Sequence, residues 1–224
     1  MFTHVSIPKL PVVIPRHTRG KHFYETPEGK IYPSVTTMLG YKEKPYLTDW
    51  RNSLGASRAD EETKRCAERG TSVHDMAEKY LNNKKYPELT KKHLRLHVNL
   101  FNQLRTRLKQ IDNIKATEVS LYSDTLKLAG TVDCVGEYTK IKSIIDFKTS
   151  NNNKTKEMID DYFKQCAAYA IMWYEMTGEL IENLVIIMAV ERGIIPLIFQ
   201  DNLQNWLIPL QEDIKYYFTS TKNN

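Results

Sequence analysis

The sequence predicts an α/β fold, with a mixed central β-sheet flanked by helices and a mainly helical N-terminal part. Three features of the pattern predict it. Helical periodicity dominates residues 34–115. Three short β-branched runs follow one another after about Ala116. The chain then alternates helix, strand and helix to about residue 219, the order expected when helices pack on a sheet. A chain of 224 residues fits one domain with a sizeable core. We expect a single domain over 1–224, made of an N-terminal arm and β-hairpin (1–33), a mainly helical part (34–115) and a sheet-bearing core (116–224).

Taken in order, residues 1–20 read as irregular, punctuated by Pro8, Pro11 and Pro15. HFYETPEGKIYP reads as a hairpin turning at Pro27-Glu28-Gly29. Ser34 is a natural N-cap for the helix that follows. Helix formers surround Trp50 over 46–54 and continue over 57–69, with Gly55 between them. From Thr71 to Leu81, the apolar residues Val73, Met76, Ala77, Tyr80 and Leu81 follow the spacing of a buried helical stripe, with His74 and Glu78 one turn apart on an adjacent face. A longer helix is expected from about Lys91 to Ile111, with Leu94, Val98, Phe101, Leu104 and Leu108 on its apolar side. TEVSLYSD, LKLAGTVDCVGEY and KSIIDFKTS then read as consecutive strands, the last pair antiparallel around a turn near Thr139-Lys140. NNNKTK is a polar loop, a helix runs from about Met158 to Thr177 with Gly178 as its stop, ENLVIIMAV suits a strand buried on both faces, and 202–219 forms a last helix.

Composition narrows the class. The chain is 41% hydrophobic and 26% charged, ordinary for a soluble globular protein. It has no apolar run long enough for a membrane span and no secretory-signal order, so we expect a cytoplasmic protein with no membrane partner. The mitochondrial matrix is the alternative location. Cys66, Cys134 and Cys166 form no close pair, which argues against a disulfide framework or a cysteine-held metal. The net charge is +5, and its distribution is polar: residues 84–115 carry nine Lys or Arg against Glu88 and Asp112, whereas 157–213 carry ten acids against Lys164 and Arg192. Such polarity suits a protein that presents one face to a polyanion, although a basic run is also an ordinary solvated helix face.

The chemistry centres on IIDFKTS. On a strand, Asp146 and Lys148 point to one face while Ile145 and Phe147 point to the other. Alone, the pair reads as a salt bridge on a half-exposed strand. Asp133, on the preceding strand and across the hairpin, adds a second carboxylate, and two carboxylates converging near a lysine repel unless a cation neutralises them. Oxygen donors suit Mg²⁺ or Mn²⁺. Such an ion activates water and offsets charge building on a phosphate, and the lysine can orient the water or the phosphate oxygens, the parts needed for phosphodiester hydrolysis.

Five motifs in order then carry a resemblance: Gly70-Thr71-Ser72-Val73-His74, Glu118 in TEVSLY, Gly130-Thr131-Val132-Asp133, Asp146-Phe147-Lys148, and Gln165-Cys166-Ala167-Ala168-Tyr169. Together they resemble the RecB-like branch of the PD-(D/E)xK nuclease superfamily, including its mitochondrial and phage-encoded exonucleases; the match covers about 70–224 well and the SVTTML segment with Trp50 more loosely. The resemblance implies a restriction-endonuclease-like core. It implies that His74, Asp133, Asp146 and the Phe147 carbonyl hold Mg²⁺ or Mn²⁺, that Lys148 positions the attacking water, that Glu118 supports the site, and that Gln165 and Tyr169 contact the Lys148 side or the DNA backbone. Each has a structural alternative: a half-buried histidine at 74, an edge-strand acid at 118, helix-packing residues at 165 and 169. The branch's iron–sulfur cluster should be absent, because no cysteine follows Cys166. The expected activity is metal-dependent exonucleolytic hydrolysis of DNA, preferring single strands or frayed ends, in replication, recombination or repair. A separate helicase or single-strand-binding protein is the expected partner, since no nucleotide-binding P-loop occurs. A structure- or sequence-specific endonuclease and a non-catalytic DNA-binding subunit of a helicase–nuclease complex are the alternatives.

Overall fold

A computed structural model describes residues 1–18 and 21–222. It begins with a three-stranded antiparallel sheet, β1 (Ile14–Thr18), β2 (Lys21–Glu25) and β3 (Ile31–Pro33), in the order β1-β2-β3. The expected hairpin is β2–β3; β1 falls in the stretch read as irregular, because its residues are exposed and carry Pro15, so no alternation marks it. Arg19 and Gly20, in that same stretch, lie outside the described residues. Ser34 caps α1 (Val35–Leu39), its Oγ accepting from the Thr37 N–H at 2.9 Å.

Next come α2 (Pro45–Leu54), which buries no residue, and α3 (Ala56–Leu81). α3 is one continuous helix of 26 residues that runs through Gly70. The two helical segments expected over 57–69 and 71–81 are therefore one, because burial of Arg69, Val73, Met76 and Ala77 on both sides of Gly70 outweighs the ~1 kcal/mol cost of glycine in a helix. The longer helix expected from 91 is instead α4 (Tyr86–Thr90) and α5 (Arg95–Leu108); Leu94 becomes the N-cap and is exposed, while Leu100, Phe101, Leu104 and Leu108 are buried.

The main sheet has five strands in the order β4-β5-β6-β7-β8: β4 (Ile111–Ser123), β5 (Leu128–Tyr138), β6 (Ile141–Ser150), β7 (Asn183–Val190) and β8 (Leu197–Asn202). β4 starts at Ile111, ahead of the change of pattern at Ala116, and carries a bulge between Asp112 and Ala116. All neighbours are antiparallel except β6 and β7, which are parallel and joined by α6 (Asp160–Thr177). Gly178 ends α6 in the left-handed region at φ 76°. β8 escapes the sequence pattern because it is a short edge strand, exposed or half-buried throughout. The last helix, α7 (Leu207–Lys222), starts after a 3-10 turn at Leu203–Trp206.

Two cores sandwich the sheet. On one side Ile144, Leu184, Ile186 and Met188 pack with α6 residues such as Phe163, Met172 and Trp173. On the other, Ile145, Phe147, Val185 and Ile187 pack with Val73, Met76, Phe101 and Leu104 of α3 and α5. β7 is thus buried on both faces, as its apolar run requires. The N-terminal arm covers part of the open edge of β4: Val5 N–H donates to Ile114 O and Ile114 N–H to Thr3 O, each at 2.8 Å. Among the described residues no helix is long and apolar enough to cross a membrane.

Candidate active site and metal centre

The site lies where the β5–β6 ladder stops. The strands pair from Tyr138↔Ile141 to Cys134↔Ile145. The next opposed residues are Asp133 and Asp146, and there the strands part. The Phe147 N–H, released from the ladder, donates to Asp133 Oδ2 at 2.7 Å. One carboxylate oxygen thus holds the parted strand, leaving Oδ1 for the site.

β4 and β5 share a matched irregularity at the same level. In a regular strand, residues three apart face opposite sides. Here Ala116 and Val119 both face the α6-side core, and so do their partners Val135 and Val132. Each strand therefore slips phase by one residue, and the residues opposed in the slip are Glu118 and Asp133. Glu118 takes the left-handed region, at φ 49°. A non-glycine residue there costs about 1–3 kcal/mol and persists where surrounding structure imposes it. The slip keeps the register on both sides while bringing Glu118 towards α3 and its His74.

His74 Nδ1 lies 3.4 Å from Asp133 Oδ1 and 3.8 Å from Glu118 Oε1. One donor atom from each of these three residues lies within 4.8 Å of the others. His74 and Glu118 border an open cleft of about 470 Å³, also lined by Thr71, Asp75 and Glu78. The Phe147 ring stands edge-on to His74, with centroids 6.3 Å apart, and anchors the strand beneath it. On the α6 side, Asp146 is ion-paired with the Lys148 ammonium. Lys148 Nζ also sits 5.0 Å from the Tyr162 ring centroid, an aromatic face that the motifs did not single out. Its position one turn before Gln165 on α6 is the signal that could have found it. Gln165 Nε2 donates to Tyr169 Oη at 3.1 Å, and both residues are buried. The Tyr169 ring occupies the space above Gly130: a Cβ there would stand 2.8 Å from Tyr169 Cε1. This accounts for the glycine of Gly-x-x-Asp.

The charged groups of the site shift one another's titration. Burial alone would lower the His74 imidazole, but the Asp133 charge and hydrogen bonds with Asp133 and Glu118 raise it to about 10. Burial also disfavours the Asp133 carboxylate, yet His74 and Lys148 hold it below its usual range. Burial lifts Asp146 to about 6, with Lys148 opposing the shift and Asp133 adding to it. Lys148 is held above its ordinary value, chiefly by Asp146 and Asp133 against burial. His74 thus faces Asp133, and Lys148 faces Asp146. Apart from Lys148, neither buried oxygen of Asp146 has a hydrogen-bond partner. An orphaned carboxylate beside three converging donors fits a divalent cation.

The structure brings His74, Glu118 and Asp133 together most closely, sets Asp146 and Lys148 beside them, and keeps Gln165 and Tyr169 largely buried on α6. Of the basic 84–115 run, Lys115 is paired with Glu179, while Lys84, Lys85, Lys91, Lys92 and Arg95 are exposed.

Residues 34–189 match the family model of the PD-(D/E)XK nuclease superfamily. The chain is also similar to the Homo sapiens protein mitochondrial genome maintenance exonuclease 1, with 26% identity over 159 residues, covering 67% of this chain and 43% of that protein. The chain thus spans less than half the length of the curated relative it matches.

Proposed function

The chain belongs to the PD-(D/E)XK nuclease superfamily, and from that premise we propose that it is a divalent-metal-dependent DNA exonuclease that prefers single strands or frayed ends and serves DNA replication, recombination or repair. The observation that carries this reading is the convergence of His74, Glu118 and Asp133 donor atoms within 4.8 Å, beside the orphaned carboxylate of Asp146. In this reading, His74, Asp133, Asp146 and the Phe147 carbonyl hold the ion, and Glu118 completes the shell directly or through water. Mg²⁺ or Mn²⁺ suits the oxygens, and the imidazole favours Mn²⁺. The bound ion supplies Lewis acidity toward a phosphate oxygen and makes water a competent nucleophile.

The remaining roles belong to side chains. Lys148 donates to a phosphate oxygen or to the attacking water, and Asp146 aims it. Gln165 and Tyr169 act as positioning residues: the Tyr169 ring seats Gly130, and hence the strand that carries Asp133. The exposed Lys84, Lys85, Lys91 and Lys92, which flank α4, add a salt-sensitive attraction for phosphates. We read the protein as a cytoplasmic single-domain enzyme acting beside a separate helicase or single-strand-binding protein.

The test is purified protein with end-labelled single-stranded oligonucleotides and Mg²⁺ or Mn²⁺. Lys148→Ala and EDTA should each abolish cleavage; retention of activity in either case sinks the assignment. A covalently closed single-stranded circle should resist digestion. Rapid cutting of the circle would turn the reading to an endonuclease.

A further inference from the structure

Away from the metal donors, α3 carries a second polar assembly. Arg69, with 3% of its side chain exposed, donates from Nη1 to Glu191 Oε2 at 2.5 Å and from Nε to Thr149 Oγ1 at 3.2 Å. Arg65 bridges Glu191 and Glu62 at 2.9 and 2.7 Å, and Asn151 donates to Glu62 at 2.7 Å. This network ties α3 to the ends of β6 and β7, and it leaves both carboxylates matched to arginines. The Arg65 hydrogen bond, with that of Asn151, holds Glu62 down to about 2.

Glu62, Arg65, Asn151 and Glu191 of this network line a separate open cavity of about 540 Å³, together with Trp50 and Leu54 of α2, Arg58 of α3, and Asn152 and Arg192 beyond the strand ends. Arg58 and Arg192 are exposed, and neither has a carboxylate partner among the described residues. Arg192 Nη1 donates only to Asn152 Oδ1, at 3.3 Å. Trp50 is 36% exposed on a helix that buries nothing. An indole flanked by two uncommitted guanidiniums, in a cavity whose acids are neutralised, is complementary to a base and its neighbouring phosphates.

We propose that Trp50, Arg58 and Arg192 form a nucleotide subsite for single-stranded DNA, remote from the metal donors, with the base stacked on Trp50 and phosphates on the two arginines. Arg58 and His74 lie on one continuous helix, about 24 Å apart along its axis at 1.5 Å per residue, so a strand filling both sites is longer than a dinucleotide. The subsite therefore selects unpaired strands several nucleotides long: a base held in a duplex has no free face to stack. This inference rests on the nuclease reading for its substrate, but its occupancy does not require cleavage.

The experiment exploits that independence. Of the three tryptophans, Trp173 is fully buried and Trp206 is 9% exposed, so Trp50 dominates any quenching at the surface. Oligothymidylate titrated into the full chain in EDTA should quench that emission, and a dinucleotide should bind far more weakly. Trp50→Ala should weaken binding about tenfold, with Trp50→Phe restoring most of it. The double variant Arg58→Ala/Arg192→Ala should flatten the salt dependence of log K by about 1.4, two contacts at 0.7 each. In cleavage assays these variants should raise KM for long strands and leave kcat unchanged. Saturation by oligothymidylate without change in Trp50 emission overturns the subsite, as does equal affinity for polyphosphate, which has charge but no bases. Quenching by oligothymidylate in a protein that never cleaves would leave the subsite standing and refute the nuclease reading. Cleavage of long strands by Trp50→Ala and the arginine double variant with parental KM would do the reverse.

Discussion

At its turn, the β5–β6 hairpin is regular: Thr139 and Lys140 take φ of 50° and 70°, the pair of left-handed residues that a tight hairpin needs, and Tyr138 and Ile144 pack inward. At the far end of the same two strands, around Asp133 and Asp146, pairing stops, a carboxylate is buried without a hydrogen bond other than to Lys148, and Glu118 on the adjoining strand is held left-handed. Propensity, alternation and turn geometry agree at the first end and conflict at the second. Each conflict costs stability. Conflicts concentrated at one end of an otherwise consistent hairpin are what the proposed site requires, since residues kept for chemistry break local rules that folding alone would obey.

Substitutions at the two ends should therefore fail in different ways. The largest effect is expected for Asp146→Asn: cleavage should fall by about 10²–10³-fold or more, while the protein stays folded at the cost of leaving the Lys148 ammonium without its nearest carboxylate. A fall in Tm with cleavage intact would reduce the pair with Lys148 to a structural ion pair. Ile144→Ala should do the opposite. Removing this fully buried side chain should cost about 2–5 kcal/mol in denaturant unfolding, and the protein that remains folded should keep its specific activity and metal requirement.

Glu179 gives a smaller, pH-dependent test of the turn end. Partial burial works against its carboxylate, yet the Lys115 and Lys142 ammoniums and the Trp173 indole N–H hold it down to about 2. Because its folded value is depressed, its contribution is complete above the ordinary glutamate value of about 4.5 and is lost as pH falls from there towards 2. Glu179→Gln should lower stability by about 1–2 kcal/mol at neutral pH, allowing for its partial exposure. The difference from the parent should vanish near pH 2; a difference constant across that range would mean that packing, not charge, sets the effect. The smallest change sharpens the turn itself. Thr139→Asn with Lys140→Gly installs the residues that a two-residue hairpin prefers and should stabilise by up to about 1 kcal/mol in thermal melts, with no change in cleavage.

Much of the hairpin and its surroundings was legible before any coordinates. The turn at 139–140, the Gly178 stop, the Ser34 cap and the doubly buried β7 all follow from neighbours in sequence. The five motifs were legible as well, because each is a local word on one element. Less could be read where pairing between distant segments decides. The exposed strand β1 and the edge strand β8 lack alternation, and α3 continues through Gly70 because of what packs on either side of it.

By itself, then, the sequence determined an α/β chain with a mixed sheet, the order of its main elements, and a set of residues with the chemistry of a metal-dependent nuclease. Only the tertiary structure decided how those residues meet: the matched slip that opposes Glu118 to Asp133, the end of the ladder that frees Asp146, and the Trp50–Arg58–Arg192 cavity at the junction of α2, α3 and two strand ends. The reason is physical. Helical and strand periods are properties of a short stretch of backbone and leave their mark in consecutive residues. A phase slip costs energy locally and is held in place by the partner strand, so no single stretch of sequence records it.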